Sequence, residues 1–355
     1  MSTFPSPVLA IRSSGLVTAI GNSTLQTTSS WLTQARRMRR VDLDGFADPF
    51  TIADCHSVTA QLAPVERLAA LLFPAVAEAM DGADYLTHQL EDECMEIVVL
   101  PRWLLPADGK RLATELGAML LRYTGWVQRP RSRLIVPAGA SGAWLALEYA
   151  YRSLATNPRL QHVMIAAVDS ACTPELLQQA AAADWLHRPG NAEGYVPGEA
   201  AACVLLQRAD SISELPAGDF ALHRPAFFNA DEHWGPGATK PDASPLSQAL
   251  SGALAAAGME PSNISHLESD MDGSDWRAHL ESTALSRVIF SQTTALPQWR
   301  PATLLGQTGA AGGVIGWLLP ASLHQQKIEH INTVLNWSIS PSGETAACVL
   351  ERSPN

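Results

Sequence analysis

A layered α/β fold around a mostly parallel sheet is what this sequence predicts, and three observations carry that expectation. Short apolar runs alternate with stretches of helical spacing along the 355 residues. One such run, Leu134-Ile135-Val136, enters the helical stretch Ala143 to Tyr151 through a turn of small residues, Pro137-Ala138-Gly139-Ala140-Ser141-Gly142. One segment also recurs. Gly198-Glu199-Ala200-Ala201-Ala202-Cys203-Val204-Leu205 returns as Gly343-Glu344-Thr345-Ala346-Ala347-Cys348-Val349-Leu350, identical at seven of eight positions and 343 − 198 = 145 residues later. Each copy closes its half of the chain, so two similar halves are expected, 1–210 and 211–355, forming one intertwined unit.

Taken in order, Gly15 to Ser23 reads as a strand tip, a glycine loop and a helix cap, followed by a helix from Thr24 to Arg37. The basic run Arg36-Arg37-Met38-Arg39-Arg40 reads as a solvated face, and Arg40 to Pro64 as loop with short strands. Helices are predicted over Pro64 to Met80 and Asp108 to Tyr123, with a strand from Glu96 to Leu100 between them. Beyond the central turn come the strand His162 to Val168, a helix opened by Thr173-Pro174-Glu175, and the strand Ala200 to Leu206. Asp210 to Ala243 carries four prolines (Pro216, Pro225, Pro236, Pro241) and reads as the connection between halves. The second half then offers a helix (Ser244 to Gly258), a strand running into a loop (Ile264 to Asp270), and a glycine-rich turn and helix within Ala302 to Leu319. Glycine in a helix costs about 1 kcal/mol relative to alanine, so several together imply close backbone approach.

Composition removes some classes of function. A net charge of −11 argues against nucleic acid and anionic membrane as partners. No apolar run approaches the roughly 20 residues of a membrane span. The five cysteines show neither CxxC nor paired spacing, so a reduced, cytoplasmic, cofactor-free and metal-free protein is expected.

The central turn is where chemistry would be placed. A strand that feeds a helix through such a turn aims one side chain at the helix N-terminus, where free N–H groups and the dipole stabilise an anion or a thiolate. Glycine and alanine stand there instead.

These segments, in this order, resemble the β-ketoacyl-acyl-carrier-protein synthases of the thiolase-like family. Gly15-Leu16-Val17-Thr18-Ala19-Ile20-Gly21-Asn22 is similar to their opening GLVTPLGN, and Ala138-Gly139-Ala140-Ser141-Gly142-Ala143 to the nucleophile turn ACASGA. Val168-Asp169-Ser170, Pro197-Gly198-Glu199-Ala200-Ala201, Glu281-Ser282-Thr283-Ala284-Leu285 and Gly306-Gln307-Thr308-Gly309-Ala310-Ala311-Gly312 match further family segments. The resemblance implies a five-layered αβαβα thiolase fold that dimerises through strands beside the nucleophile turn. It also implies a cysteine that carries the acyl group, two histidines that bind the thioester oxygen and assist decarboxylation, and a supporting lysine. Those positions fall on Gly139, Asp270, Gln307 and a place near Ala302. Glycine offers no nucleophile. Aspartate puts negative charge where enolate charge develops. Glutamine donates a hydrogen bond but transfers no proton. The family's phenylalanine-glycine gate is replaced by Pro341-Ser342-Gly343-Glu344.

Three rival groups need weighing. Cys172 sits in Asp169-Ser170-Ala171-Cys172-Thr173, which imitates the family's nucleophile text, but only 198 − 172 = 26 residues separate it from Gly198, against 198 − 139 = 59 for Gly139. Ser141 needs a base, and His266, the one nearby candidate, falls inside a predicted strand as a structural histidine. Asp270, Asp272 and Asp275, with Gly273-Ser274 between, do not place the glycine and terminal glutamate where a calcium loop requires them, and read as solvated acids.

The resulting expectation is a catalytically silent homologue, a homodimer or a heterodimer with a ketosynthase-like subunit, with acyl carrier protein as a further partner. Two roles fit: a chain-length factor, or an accessory protein of a bacterial type VI secretion cluster. The alternative is a condensing acyltransferase using Ser141 or Cys172, and a third reading is an acyl-chain binder without chemistry.

Overall fold

The strands assemble twice in the same order. The computed structural model describes residues 7–83, 94–124, 133–231, 233–235, 241–289, 296–327 and 331–354. In the first set, β5 (Arg133–Val136), β4 (Cys94–Val99) and β6 (His162–Ser170) run parallel; β7 (Glu199–Ala209) is antiparallel to β6, and β1 (Val8–Thr18) is antiparallel to β7. In the second, β11 (Gln298–Trp299), β10 (His266–Ser269) and β12 (Thr333–Ile339) are parallel, and β13 (Glu344–Arg352) is antiparallel to β12 and to β8 (Phe220–Leu222). Each set reads third, second, fourth, fifth, first. Strand β8 also bonds β1, which joins both sets, with β9 (Ala226–Asn229) on β13, into one eleven-stranded sheet.

Period-two alternation sorts the core into layers. On β7, Ala201, Cys203 and Leu205 face α3 (Pro64–Gly82) and α4 (Pro106–Thr124), where Leu68, Leu71, Leu72, Leu112 and Leu116 meet them. Ala200, Ala202, Val204 and Leu206 face the opposite way, against α5 (Gly142–Thr156) and α10 (Gly312–Gln325). Those two helices also take the inner face of β13 through Ala346, Cys348 and Leu350. Its outer face, Ala347 and Val349, is covered by α7 (Ser244–Ala257) and α8 (Asp275–Val288). The order is helix, sheet, helix, sheet, helix: the expected αβαβα arrangement.

Smaller elements depart from the sequence reading. Helix α1 (Thr24–Leu32) stops five residues before Arg37, because Gln34 takes a left-handed conformation (φ 54°). Arg36, Arg37, Arg39 and Arg40 are exposed as expected, and Arg39, which opens β2 (Arg39–Val41) beside β3 (Phe50–Ile52), also clamps buried Asp54 through two nitrogens at 2.6 and 2.9 Å. The stretch from Asp210 to Ala243 is more than a connection, since it supplies β8 and β9; strands of three and four residues are too short to show alternation. The octapeptide repeat does not superpose by face. Glu199 and Cys203 point to the outer helices, Glu344 and Cys348 point inward, and equivalent positions of a duplicated sheet would point alike. Both cysteines are fully buried core residues all the same. Among the described residues no helix is long and apolar enough to cross a membrane.

Glu199 anchors the start of β7. Fully buried, it accepts from the Cys55 N–H (2.7 Å), the Thr59 and Ser170 hydroxyls (2.5 and 2.7 Å) and the Arg67 guanidinium (2.7 Å). Removing one partner of a buried pair strands the other, at about 3–5 kcal/mol. Arg67→Met is expected to lower stability by that amount in urea unfolding at neutral pH, and Arg67→Met with Glu199→Gln by clearly less.

Candidate functional site

The central turn opens on a cleft of about 660 Å³ whose lining includes Gly139, Ala140, Gln307 and Gly309. Its floor comes from two matching turns. After β5, Gly139 takes φ +58° and Gly139–Ser141 forms one 3-10 turn into α5; after α9 (Ala302–Leu305), Gly309 takes φ +50° and Gly309–Ala311 forms one into α10. Both turns pack tightly against their surroundings. A Cβ at Gly142 would lie 2.3 Å from Val99 Cγ1, and one at Gly313 would lie 2.7 Å from Ala143 Cβ.

Gly139 is roofed by an arginine that the sequence reading did not single out. Arg102 leaves the end of β4, and its Cγ, Cδ and Nε stand 3.5, 3.8 and 3.9 Å from where a Gly139 Cβ would sit. Its Nε donates to the Ala138 carbonyl at 2.9 Å and Nη2 to Ser141 Oγ at 3.2 Å. The same guanidinium bonds Ser342 Oγ and pairs with Glu344. Burial opposes the charge on Glu344, but the Ser342 hydroxyl and Arg102 outweigh it and hold the carboxyl below its ordinary range. The segment read as a replaced gate, 341–344, is therefore what fastens the arginine over Gly139.

The other two inferred positions are engaged as well. Gln307 Oε1 turns back to accept from the Gly309 N–H at 2.8 Å. Asp270, at the end of β10, accepts from the Ser338 hydroxyl (2.7 Å) and pairs with Arg277 (2.8 Å); Ser338 Oγ lies 3.5 Å from the Ala140 carbonyl, which ties Asp270 to the central turn. Arg277 is 1% exposed, with Asp272 3.2 Å away on its other side and the Trp276 ring 4.8 Å beneath. Burial works against its charge, yet Asp270 and Asp272 raise its pKa above the ordinary value. Asp270 and Asp272 are thus counter-ions of a buried cation and not solvated acids, which corrects the sequence reading; only Asp275 is exposed. The signal missed was an arginine on the first turn of the following helix. Among the described residues no group of three or more His, Cys, Asp and Glu could hold a metal ion.

The rival groups lie apart or lack a base. Cys172 is buried among Phe50, Ile52 and Leu177, and burial, with Glu199 and Asp54 adding, pushes its thiol well above the ordinary value. Ser141 Oγ donates to the Ala138 carbonyl at 3.1 Å and receives Arg102. His266 begins β10 while Asp270 follows its end, roughly 13 Å away at strand rise. Its ring stacks on Trp299 (4.7 Å) and Nδ1 lies 2.9 Å from Ser265 Oγ, so the structure does not bring Ser141 and His266 together.

Asp169, at the end of β6, carries the most perturbed carboxyl that lines the cleft. Its Oδ2 accepts from the Ala310 N–H (2.8 Å) and Oδ1 from Trp103 Nε1 (3.3 Å). Burial pushes its pKa from 3.8 up to about 6 against those bonds. The folded chain therefore keeps a proton that the unfolded chain releases, and stability falls as pH rises through the window from 3.8 to about 6. The full loss is about 3 kcal/mol at roughly 1.4 kcal/mol per pH unit. Asp169→Asn is expected to flatten that part of the stability–pH curve in denaturant titrations from pH 4 to 7.

Comparisons with known proteins fit this geometry. Residues 221–332 match the family profile described as "Beta-ketoacyl synthase, C-terminal domain". The structure is similar to the ketosynthase from module 6 of the bacillaene synthase of Bacillus subtilis 168, with TM-score 0.78, 17% identity, and 97% of this chain and 72% of that one covered. It is similar to the ishigamide ketosynthase/chain length factor (TM-score 0.75, 15% identity, 98% and 99% covered). It is also similar to a chain of the AntDE:AntF complex, a type II acyl-carrier protein with its ketosynthase (TM-score 0.78, 14% identity, 98% and 100% covered). Identities this low speak for the fold. No curated protein matches the sequence.

Proposed function

We propose, for a chain that is a divergent member of the thiolase-like β-ketoacyl synthase family, that it acts as a catalytically silent partner subunit and not as a condensing enzyme. The observation that carries this reading is Gly139 under the stem of Arg102. The position that resembles the acyl-bearing cysteine holds no nucleophile, and the Arg102 stem lies in van der Waals contact with the place its side chain would take. Around it, the places of the two histidines hold a carboxylate bound to Arg277 and an amide bound to its own turn. Neither moves a proton to a substrate, and the carboxylate opposes developing enolate charge.

A partner role draws support from β5. Its one hydrogen-bonded neighbour among the described residues is β4, which leaves its other edge open beside the central turn for another subunit's strand. The likeness to a ketosynthase/chain length factor favours the chain-length-factor role, with a ketosynthase-like subunit as partner and acyl carrier protein as its cargo carrier. A secretion-cluster accessory role rests on sequence resemblance alone.

The test is acylation. Incubation with radiolabelled acyl-carrier thioester and intact-mass measurement is expected to leave the protein unmodified, and Gly139→Cys alone to leave it so as well, because Asp270 and Gln307 stand where histidines would assist the new thiol. A stable adduct on Ser141, Cys172 or any other side chain of the unmodified protein defeats the silent reading. Pull-down with mass spectrometry is expected to return a ketosynthase subunit that retains its cysteine and histidines.

A further inference from the structure

The same cleft has walls that a silent scaffold does not require. Trp103, Trp185, Tyr195, Trp234 and Trp276 line it. Trp185 meets Tyr195 edge to face at 6.4 Å, and Trp234 meets Trp276 in a tilted arrangement at 6.2 Å. The charged or titratable groups that share the lining are Arg102, Arg277, His233, Asp169, Asp272 and Glu193. Both arginines are committed internally, Arg102 to Glu344 and Arg277 to Asp270 and Asp272. Asp169 and Glu193 pair with no cation among the described residues.

The features that would favour an anion are occupied. At the start of α10, the Ala310 N–H is taken by Asp169 and the Gly309 N–H by Gln307. At the start of α5, the Gly139 N–H is taken by the Leu100 carbonyl. What remains on offer is aromatic surface and carboxylate. Aromatic faces attract cations, most strongly indole, and the attraction grows with desolvation. The chain holds its own example at this wall: Arg277 stands 4.8 Å over Trp276 with carboxylates beside it.

We propose that the cleft binds an organic cation, an ammonium group on a short apolar stem, with the stem against the indoles and the charge toward Asp169 and Glu193. This inference goes beyond the silent-subunit reading and does not depend on it. A volume of about 660 Å³ suits a small molecule.

Hexyltrimethylammonium and hexanoate share the apolar stem and carry opposite charges, and the four tryptophans of the wall report occupancy by fluorescence. Titration calorimetry and quenching on the full chain are expected to show saturable binding of the ammonium ion and at least tenfold weaker binding of hexanoate. Asp169→Asn keeps a carbonyl for the Ala310 N–H and is expected to weaken the ammonium about tenfold, the effect of losing roughly 1.4 kcal/mol. Glu193→Gln, at an exposed position that does not threaten folding, is expected to weaken it about threefold. Hexanoate binding as tightly as the ammonium ion overturns the proposal. So does an unchanged ammonium affinity in both variants, or no saturable binding by about 10 mM. Acyl labelling reads the silent-subunit proposal separately, so the two can fail independently.

Discussion

Two helices packed back to back between the two sets of strands govern the rest of this structure. α5 and α10 meet where Gly313 lies against Ala143, and Trp144 meets Trp317 edge to face at 5.5 Å. Such an aromatic pair contributes about 0.5–1.5 kcal/mol beyond its buried area. The glycines matter more, because a side chain at Gly313 would push the two helices apart and one at Gly142 would strike Val99 of β4. Helices held this close bring their N-terminal turns to one floor, and that floor is the cleft.

Once the turns share a floor, their free N–H groups demand acceptors. Asp169 crosses from β6 to serve α10, and Gln307 folds back on the same turn. Arg102, held by Glu344 and Ser342, covers the turn of α5. Asp169 and Arg102 thus serve these turns from distant parts of the chain, and Gln307 from within its own turn. Burial raises the cost of leaving any of them unpaired. The result is a cleft whose backbone donors are taken at its base and whose walls are aromatic.

Much of the fold was legible because the core strands are apolar runs bounded by turns. The strand–turn–helix from Leu134 to Tyr151 lies where its pattern puts it, with the helix running to Thr156. The glycine-rich stretch near Gly312 marked a close-packed helix, as its contacts show. Short strands were not legible: Phe220–Leu222 and Ala226–Asn229 owe their conformation to partners more than a hundred residues away. The repeated octapeptide misled for a related reason. Its text is shared, but strand facing depends on register, and one residue of offset reverses every side chain.

At the cleft, Gly139, Ser141 and Gln307 could be placed from motif order, since each belongs to a local turn. Arg102, Arg277 and the aromatic wall could not, because nothing local marks them. The amino-acid sequence by itself determined which segments become strands and helices, and that a glycine stands at the central turn. Only the tertiary structure decided that Arg102 lies over that glycine, that Asp270 and Asp272 neutralise a buried cation, and that five aromatic rings face one cavity. Such contacts join residues far apart in the chain, and their energies exist only once burial has removed the competing water.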